Sequence, residues 1–139
     1  MRKNSVSDFE FTGVKLALIY RDKIVVIRRD NNPNIPYPDM YDVTGGTREG
    51  NETPMECAFR EAREELNLSL TSELVIWMKN YSDHPQGYFM VCNIERYHVD
   101  SMRLGNEGQY ISLMDLNNFL KSENVVPFVK ARLNDYITS

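Results

Sequence analysis

Residues 45–68 constrain this chain more than any other stretch: a glycine pair, a polar loop, then glutamates and apolar residues recurring at helical spacing. Thr53-Pro54 reads as an N-cap and first helical residue, Glu56 stands three after Thr53 as a capping box requires, and Asn67 can close the helix in the left-handed conformation. The spacing predicts a helix from about Pro54 to about Leu66. At about 100° per residue, Met55, Ala58, Phe59, Ala62 and Leu66 form one stripe, while Glu61, Glu64 and Glu65 cluster opposite. Neighbouring carboxylates on a helix lie roughly 6 Å apart and repel by about 2 to 3 kcal/mol at an effective dielectric near 20. A cation is therefore expected among them. Oxygen-only ligands suit a hard divalent ion, Mg²⁺ or Mn²⁺, and no Cys or His set that zinc prefers lies nearby. The competing interpretation is a solvated face in which Glu56 and Glu64 each pair with Arg60 at four-residue spacing.

The whole spacing decides between them. From Gly46 the chain runs five residues to Glu52 and seven more to Arg60-Glu61-Ala62-Arg63-Glu64-Glu65-Leu66-Asn67-Leu68. This resembles the Nudix box of the Nudix hydrolase family at every fixed position but one, Asn67 standing where the family usually has Gly. A chance match of the other positions is on the order of one in 10⁸ per window. The preceding Tyr41-Asp42-Val43-Thr44-Gly45-Gly46 is similar to the Trp-Asp-Leu-Pro-Gly-Gly lead-in of many members.

With 139 residues and 42% hydrophobic content, the chain suits one soluble domain at 9–139 behind a flexible segment at 1–8. A formal charge of −4 argues against coating a nucleic acid polymer, though not against a compact phosphate ligand reached through metal ions. Two cysteines are too few for a disulfide framework, which points to a reducing, cytoplasmic setting. No apolar run approaches membrane-spanning length, and the N-terminus lacks the pattern of a signal peptide.

Along the chain, residues 9–20 and 24–27 read as a hairpin about Arg21-Asp22-Lys23. Residues 30–40, with Asn-Asn-Pro-Asn and Pro-Tyr-Pro, read as a surface loop, and the two glycines after it let the backbone turn sharply and come close to ligand. Residues 73–79 and 87–94 read as strands whose Trp77, Met78, Tyr88, Phe89 and Met90 pack a sheet face. His84 and His98 have no partners at metal or triad spacing and are expected to be structural or exposed; Cys57 falls nearer the polar side of the glutamate helix. A short strand at 109–113, a helix capped by Asp115 and a last helix opened by Pro127 follow.

The resemblance implies an α/β fold, a Nudix-like α/β/α sandwich with a mixed sheet, and hydrolysis of the diphosphate bond of a nucleoside diphosphate linked to another moiety. It implies Mg²⁺, with Mn²⁺ possible, held by Glu61, Glu64, Glu65 and the Gly45 carbonyl. Glu61 or Glu107 would take the proton from water, Arg60 would orient a neighbouring glutamate, and Glu52 would buttress the loop. Arg28, Arg29, Gly46 and Arg48 are candidates on the substrate side, and Asn67 is structural. By analogy with the mutator-type branch the substrate would be a nucleoside triphosphate or related nucleotide; ADP-ribose, a nucleotide sugar and a non-catalytic nucleotide-binding module are the alternatives. Members that remove oxidised guanine nucleotides commonly carry Asn just before the Pro of the last helix, where this chain has Val125-Val126-Pro127 with Asn124 offset. A small-molecule nucleotide is the expected partner, with no nucleic acid polymer or membrane, for a monomer or homodimer.

Overall fold

The β-branched run after the turn folds as the spacing requires. In a computed structural model, which describes residues 10–139, β1 (Gly13–Tyr20) and β2 (Lys23–Arg28) pair antiparallel about Arg21, whose φ is 58°. The segment expected to be flexible, 1–8, lies outside the described residues. The short β3 (Tyr41–Asp42) and β4 (Thr44–Thr47) come next, followed by helix α1 (Pro54–Leu66). Then come β5 (Val75–Tyr81), β6 (Gly87–Asn93), α2 (Arg96–Ser101), β7 (Tyr110–Asp115), α3 (Leu116–Lys121) and α4 (Pro127–Ile137).

The strands form one seven-stranded mixed sheet in which β3-β2-β1-β6-β5 lie in order, β4 pairs with β1, and β7 with β2. Among the strands of the described residues, β1 and β6 pair parallel and the other pairs are antiparallel. Because side chains alternate across a sheet, the apolar strands feed two cores at once. Leu16, Leu18, Val25, Ile27, Met90 and Cys92 pack against Ala58, Ala62 and Leu66 of α1. Ala17, Ile24, Val26, Phe89 and Val91 pack instead with Phe119 of α3 and Val129 and Leu133 of α4. A large apolar side chain buried fully in either core contributes about 1.5 to 3 kcal/mol. The result is the expected α/β/α sandwich. No helix among the described residues is long and apolar enough to cross a membrane.

Helix α1 has the predicted ends. The Thr53 hydroxyl accepts from the Glu56 amide at 3.2 Å, the Thr53 amide donates to Glu56 Oε1 at 2.8 Å, and Asn67 caps the far end at φ 61°, ψ 37°. Three expectations are corrected. Gly45 and Gly46 do not make a sharp turn but lie inside β4, paired with Lys15 and Val14. Cys57 is fully buried in the α1 core rather than near a polar side, because the helix is covered along more than its apolar stripe. Residues 96–101, too short for a visible periodicity, form α2, where His98 is structural, as expected: it is a buried cap whose Nδ1 accepts from the Glu95 amide at 2.9 Å. Met78 is 42% exposed, so only part of the apolar set on β5 faces a core.

Candidate functional site

Where α1 crosses β4, the two elements come close because Gly46 lacks a side chain, while Gly45 leaves room for the neighbouring strand β1. A Cβ on Gly46 would stand 2.1 Å from Glu61 Oε2, and one on Gly45 would stand 2.2 Å from the Val14 carbonyl oxygen. The Glu61 carboxyl thus takes the space that any other residue at 46 would fill. One turn on, Glu65 Oε1 accepts from the Thr44 hydroxyl at 2.5 Å and from the Gly45 amide at 3.0 Å.

Arg60 organises the polar side of the helix. Its Nε and Nη2 donate to the two oxygens of Glu52 at 2.6 and 3.1 Å, and Nη2 also reaches the Thr47 carbonyl at 2.9 Å. Its Nη1 lies 3.2 Å from Glu61 Oε2, 3.1 Å from Glu64 Oε1 and 3.3 Å from Glu49 Oε2. The expected pairing with Glu64 forms, whereas Glu56 turns back to cap the helix. The Arg60 hydrogen bond holds Glu52 well below the ordinary carboxylate range, at about 2. Burial, and then the charge of Glu65, push Glu61 up to about 7 against the opposing pull of Arg60. Burial raises Glu65 as well, countered by its hydrogen bonds from Thr44 and Gly45.

Glu61, Glu64, Glu65 and Glu49 line a cavity of about 540 Å³, and Glu107 reaches it from the loop before β7. A second cavity, of about 450 Å³, shares Gly45, Gly46, Glu65 and Glu107 with the first. Its opposite wall carries a cationic pair: Lys15 Nζ and Arg29 Nη1 lie 2.7 and 2.9 Å from one oxygen of Asp42, a residue 3% exposed. Two positive heads on one carboxylate make a local basic patch, although Asp30, Glu65 and Glu107 also line this cavity.

Not every expected residue arrives there. Arg28 lies on the other side of the strand from Arg29, donates to Asp39 at 3.0 Å and stacks over Tyr41 at 4.6 Å, lining neither cavity. Arg48 stacks over Phe11 at 4.4 Å and donates to the Glu52 carbonyl, tying down the loop before α1 instead of facing the cavities. Asn124 turns toward Asp39 and Arg28. Lys15, Asp42 and Glu49 escaped sequence reasoning. Asp42 sat within the recognised lead-in, but Lys15 looked like the polar partner in an alternating strand.

The donors fit a hard divalent ion, being oxygens only, with Glu61 and Glu65 burdened by mutual repulsion that a cation would relieve. Among the described residues, no three acidic, His or Cys side chains are already gathered in metal-holding geometry. The reason is local: Arg60 stands where it neutralises Glu61 and Glu64, and Glu65 is turned to Thr44. Glu64, its side chain 57% exposed, is free to swing.

A family model described as the NUDIX domain matches residues 12–124. Among solved structures, a bifunctional NMN adenylyltransferase/ADP ribose pyrophosphatase from Francisella tularensis, complexed with AMP and a Mn ion, is similar over 93% of this chain at a TM-score of 0.72 and 19% identity. The present chain spans only 41% of that protein's length. The MutT protein from Methanosarcina mazei Go1 is similar at a TM-score of 0.69 and 15% identity, over 92% of this chain and 93% of its own. An Ap4A hydrolase from C. elegans is similar at 0.63 and 14% identity, over 93% and 98%. No curated protein matches the chain.

Proposed function

The chain belongs to the Nudix family, and we propose that it is a divalent-metal-dependent pyrophosphohydrolase that cleaves the diphosphate bond of a nucleoside diphosphate linked to another moiety. A nucleoside triphosphate or related nucleotide is the first substrate class. One observation carries the reading: the glutamate cavity and the cavity that holds Lys15 and Arg29 share Gly45, Gly46, Glu65 and Glu107, which supports a site where carboxylates for a cation and basic heads for a phosphate lie side by side.

Glu61, Glu64 and Glu65, with the Gly45 carbonyl, would hold Mg²⁺ or Mn²⁺. A bound divalent ion supplies charge neutralisation at phosphate oxygens and a more acidic water. Lys15 and Arg29 draw the phosphates inward, and Asp42 fixes where their heads stand. Glu61 and Glu107 line the same cavity and are the two candidates to accept a proton from water. Arg60 positions Glu61 and Glu64, and Glu52 holds Arg60. The bare backbone at Gly46 lets a phosphate approach closely.

The test is a screen of nucleoside triphosphates, nucleotide sugars, dinucleotides and ADP-ribose with Mg²⁺ and Mn²⁺, reading the phosphate or nucleoside monophosphate released. Metal-dependent release from at least one class is expected. Tight nucleotide binding without release would instead identify a non-catalytic module.

A further inference from the structure

Arg132, on α4, is 4% exposed and sets its guanidinium carbon against two rings, 4.2 Å from the Tyr81 centroid and 5.0 Å from that of Phe128. A guanidinium carries five N–H donors. Here Nη2 donates to the Pro85 carbonyl at 2.8 Å, and the nearest carboxylate, exposed Asp83, stands 3.7 Å away, beyond hydrogen-bond reach. Among the described residues, Nε and Nη1 have no acceptor. Buried donors of this kind are normally met. Burial also draws the Arg132 pKa down, with Asp83 opposing, so an acceptor-bearing ligand would restore what solvent has lost.

Arg132 also lines a cavity of about 250 Å³ whose other walls include Val14, Pro85, Gly87 and Phe128. Gly46 and Thr47 are shared with the glutamate cavity, and Lys15 and Gly46 with the one that holds Arg29. A ligand whose phosphates lie over Gly46 therefore has one end within reach of Arg132. The apolar wall and small volume suit a flat ring rather than another phosphate. Nη2 carries two N–H groups, and whichever one Pro85 takes, the other lies parallel to an N–H of Nε or of Nη1, so a ring that satisfies that pair must present two adjacent acceptors.

We propose that this small cavity reads the nucleobase and that Arg132 selects a 6-oxopurine over a 6-aminopurine. The inference rests on the nucleotide reading above and extends it to the base. Two guanidinium N–H groups match the O6 and N7 acceptors of the oxo edge, whereas the amino group at that position would meet donor with donor. The two ring contacts hold the guanidinium in place, which is what two-pronged recognition requires.

The test uses the full chain in chelator, titrated with GDP, IDP and ADP, so that identical phosphates cancel the contribution of Lys15 and Arg29. GDP and IDP are expected to bind about tenfold or more tighter than ADP. Arg132→Met should bring GDP and IDP to the ADP level while leaving ADP within about threefold. Arg132→Lys keeps the charge but not the fork, and should lose most of the preference while melting near the parent temperature. In Mg²⁺, the kcat/KM ratio of GTP to ATP should move in parallel. Equal binding of GDP and ADP by the parent chain, a preference surviving in both variants, or no binding of any diphosphate at millimolar concentration would each overturn the proposal. Selective binding without hydrolysis in either metal leaves base selection standing and overturns the pyrophosphohydrolase reading instead.

Discussion

Glu61, Glu64 and Glu65 occupy little more than one turn of α1 yet meet three surroundings: Glu61 is tucked against Gly46, Glu64 extends into solvent and Glu65 is clasped by Thr44. Replacing Glu64 or Glu65 by Gln should lower metal-dependent turnover by about a hundredfold or more with the fold retained; full activity in either variant would remove them from the cation site. In chelator the stabilities should separate. Glu64→Gln loses an exposed ion pair, about 0.5 kcal/mol, while Glu65→Gln removes a buried charge and should be neutral or stabilising in a urea melt. Glu52 supplies a pH prediction. Its carboxyl titrates near 2, below its ordinary 4.5, so the folded state binds fewer protons there than the unfolded state. Its contribution, on the order of 2 kcal/mol, is full above pH 4.5 and lost as pH falls toward 2. Glu52→Gln should flatten the acid decline of stability between those values, and an unchanged slope would deny the Arg60 pairing its role. The residue identities were legible from the box, but their surroundings were not: Arg28 and Arg29 are neighbours in sequence and part company because successive strand residues point to opposite sides.

At the scale of elements, Gly46 makes room for the helix over β4, and Gly45 makes room for the neighbouring strand β1. Gly46→Ala places its methyl against the mobile end of Glu61, so stability should change little while turnover falls, because the carboxyl must leave its place. Gly45→Ala meets the Val14 backbone carbonyl, which cannot yield, and should cost about 2 to 4 kcal/mol of stability. Thermal melts of the two variants, set beside their turnover, would show opposite profiles; equal effects would contradict this geometry. At the other end of α1, Asn67 pairs a left-handed backbone with a hydrogen bond from Nδ2 to the Ser101 carbonyl at 3.1 Å. Asn67→Ala should cost about 1 to 2 kcal/mol, and Asn67→Gly less, as read by chemical denaturation. Helix α1 was fully readable because its cap, stripe and stop agree with one another. Helix α2 was not, since six residues hold too little periodicity and its His98 cap is set by burial.

For the whole molecule, the sheet delivers two cores and leaves the glutamate helix beside a cavity, built by β1, β2 and the segment through β3 and β4, that holds Lys15 and Arg29. A divalent ion that binds only the folded chain, at a hundredfold its Kd, should stabilise it by about 2.7 kcal/mol, a rise of roughly 8 °C in Tm for this size. Identical melts in Mg²⁺ and in chelator would contradict a cation site. The sequence by itself determined the box helix, its caps, the hairpin and the alternating strands, because hydrogen bonding and apolar periodicity within a dozen residues are enough to specify them. Only the tertiary structure decided that Lys15 and Arg29 converge on Asp42, that Arg48 stacks on Phe11, and that Arg132 lies buried at a small cavity. Those contacts join residues 13 to 47 positions apart, and which side chains meet across such distances is set by strand register and the packing of two cores.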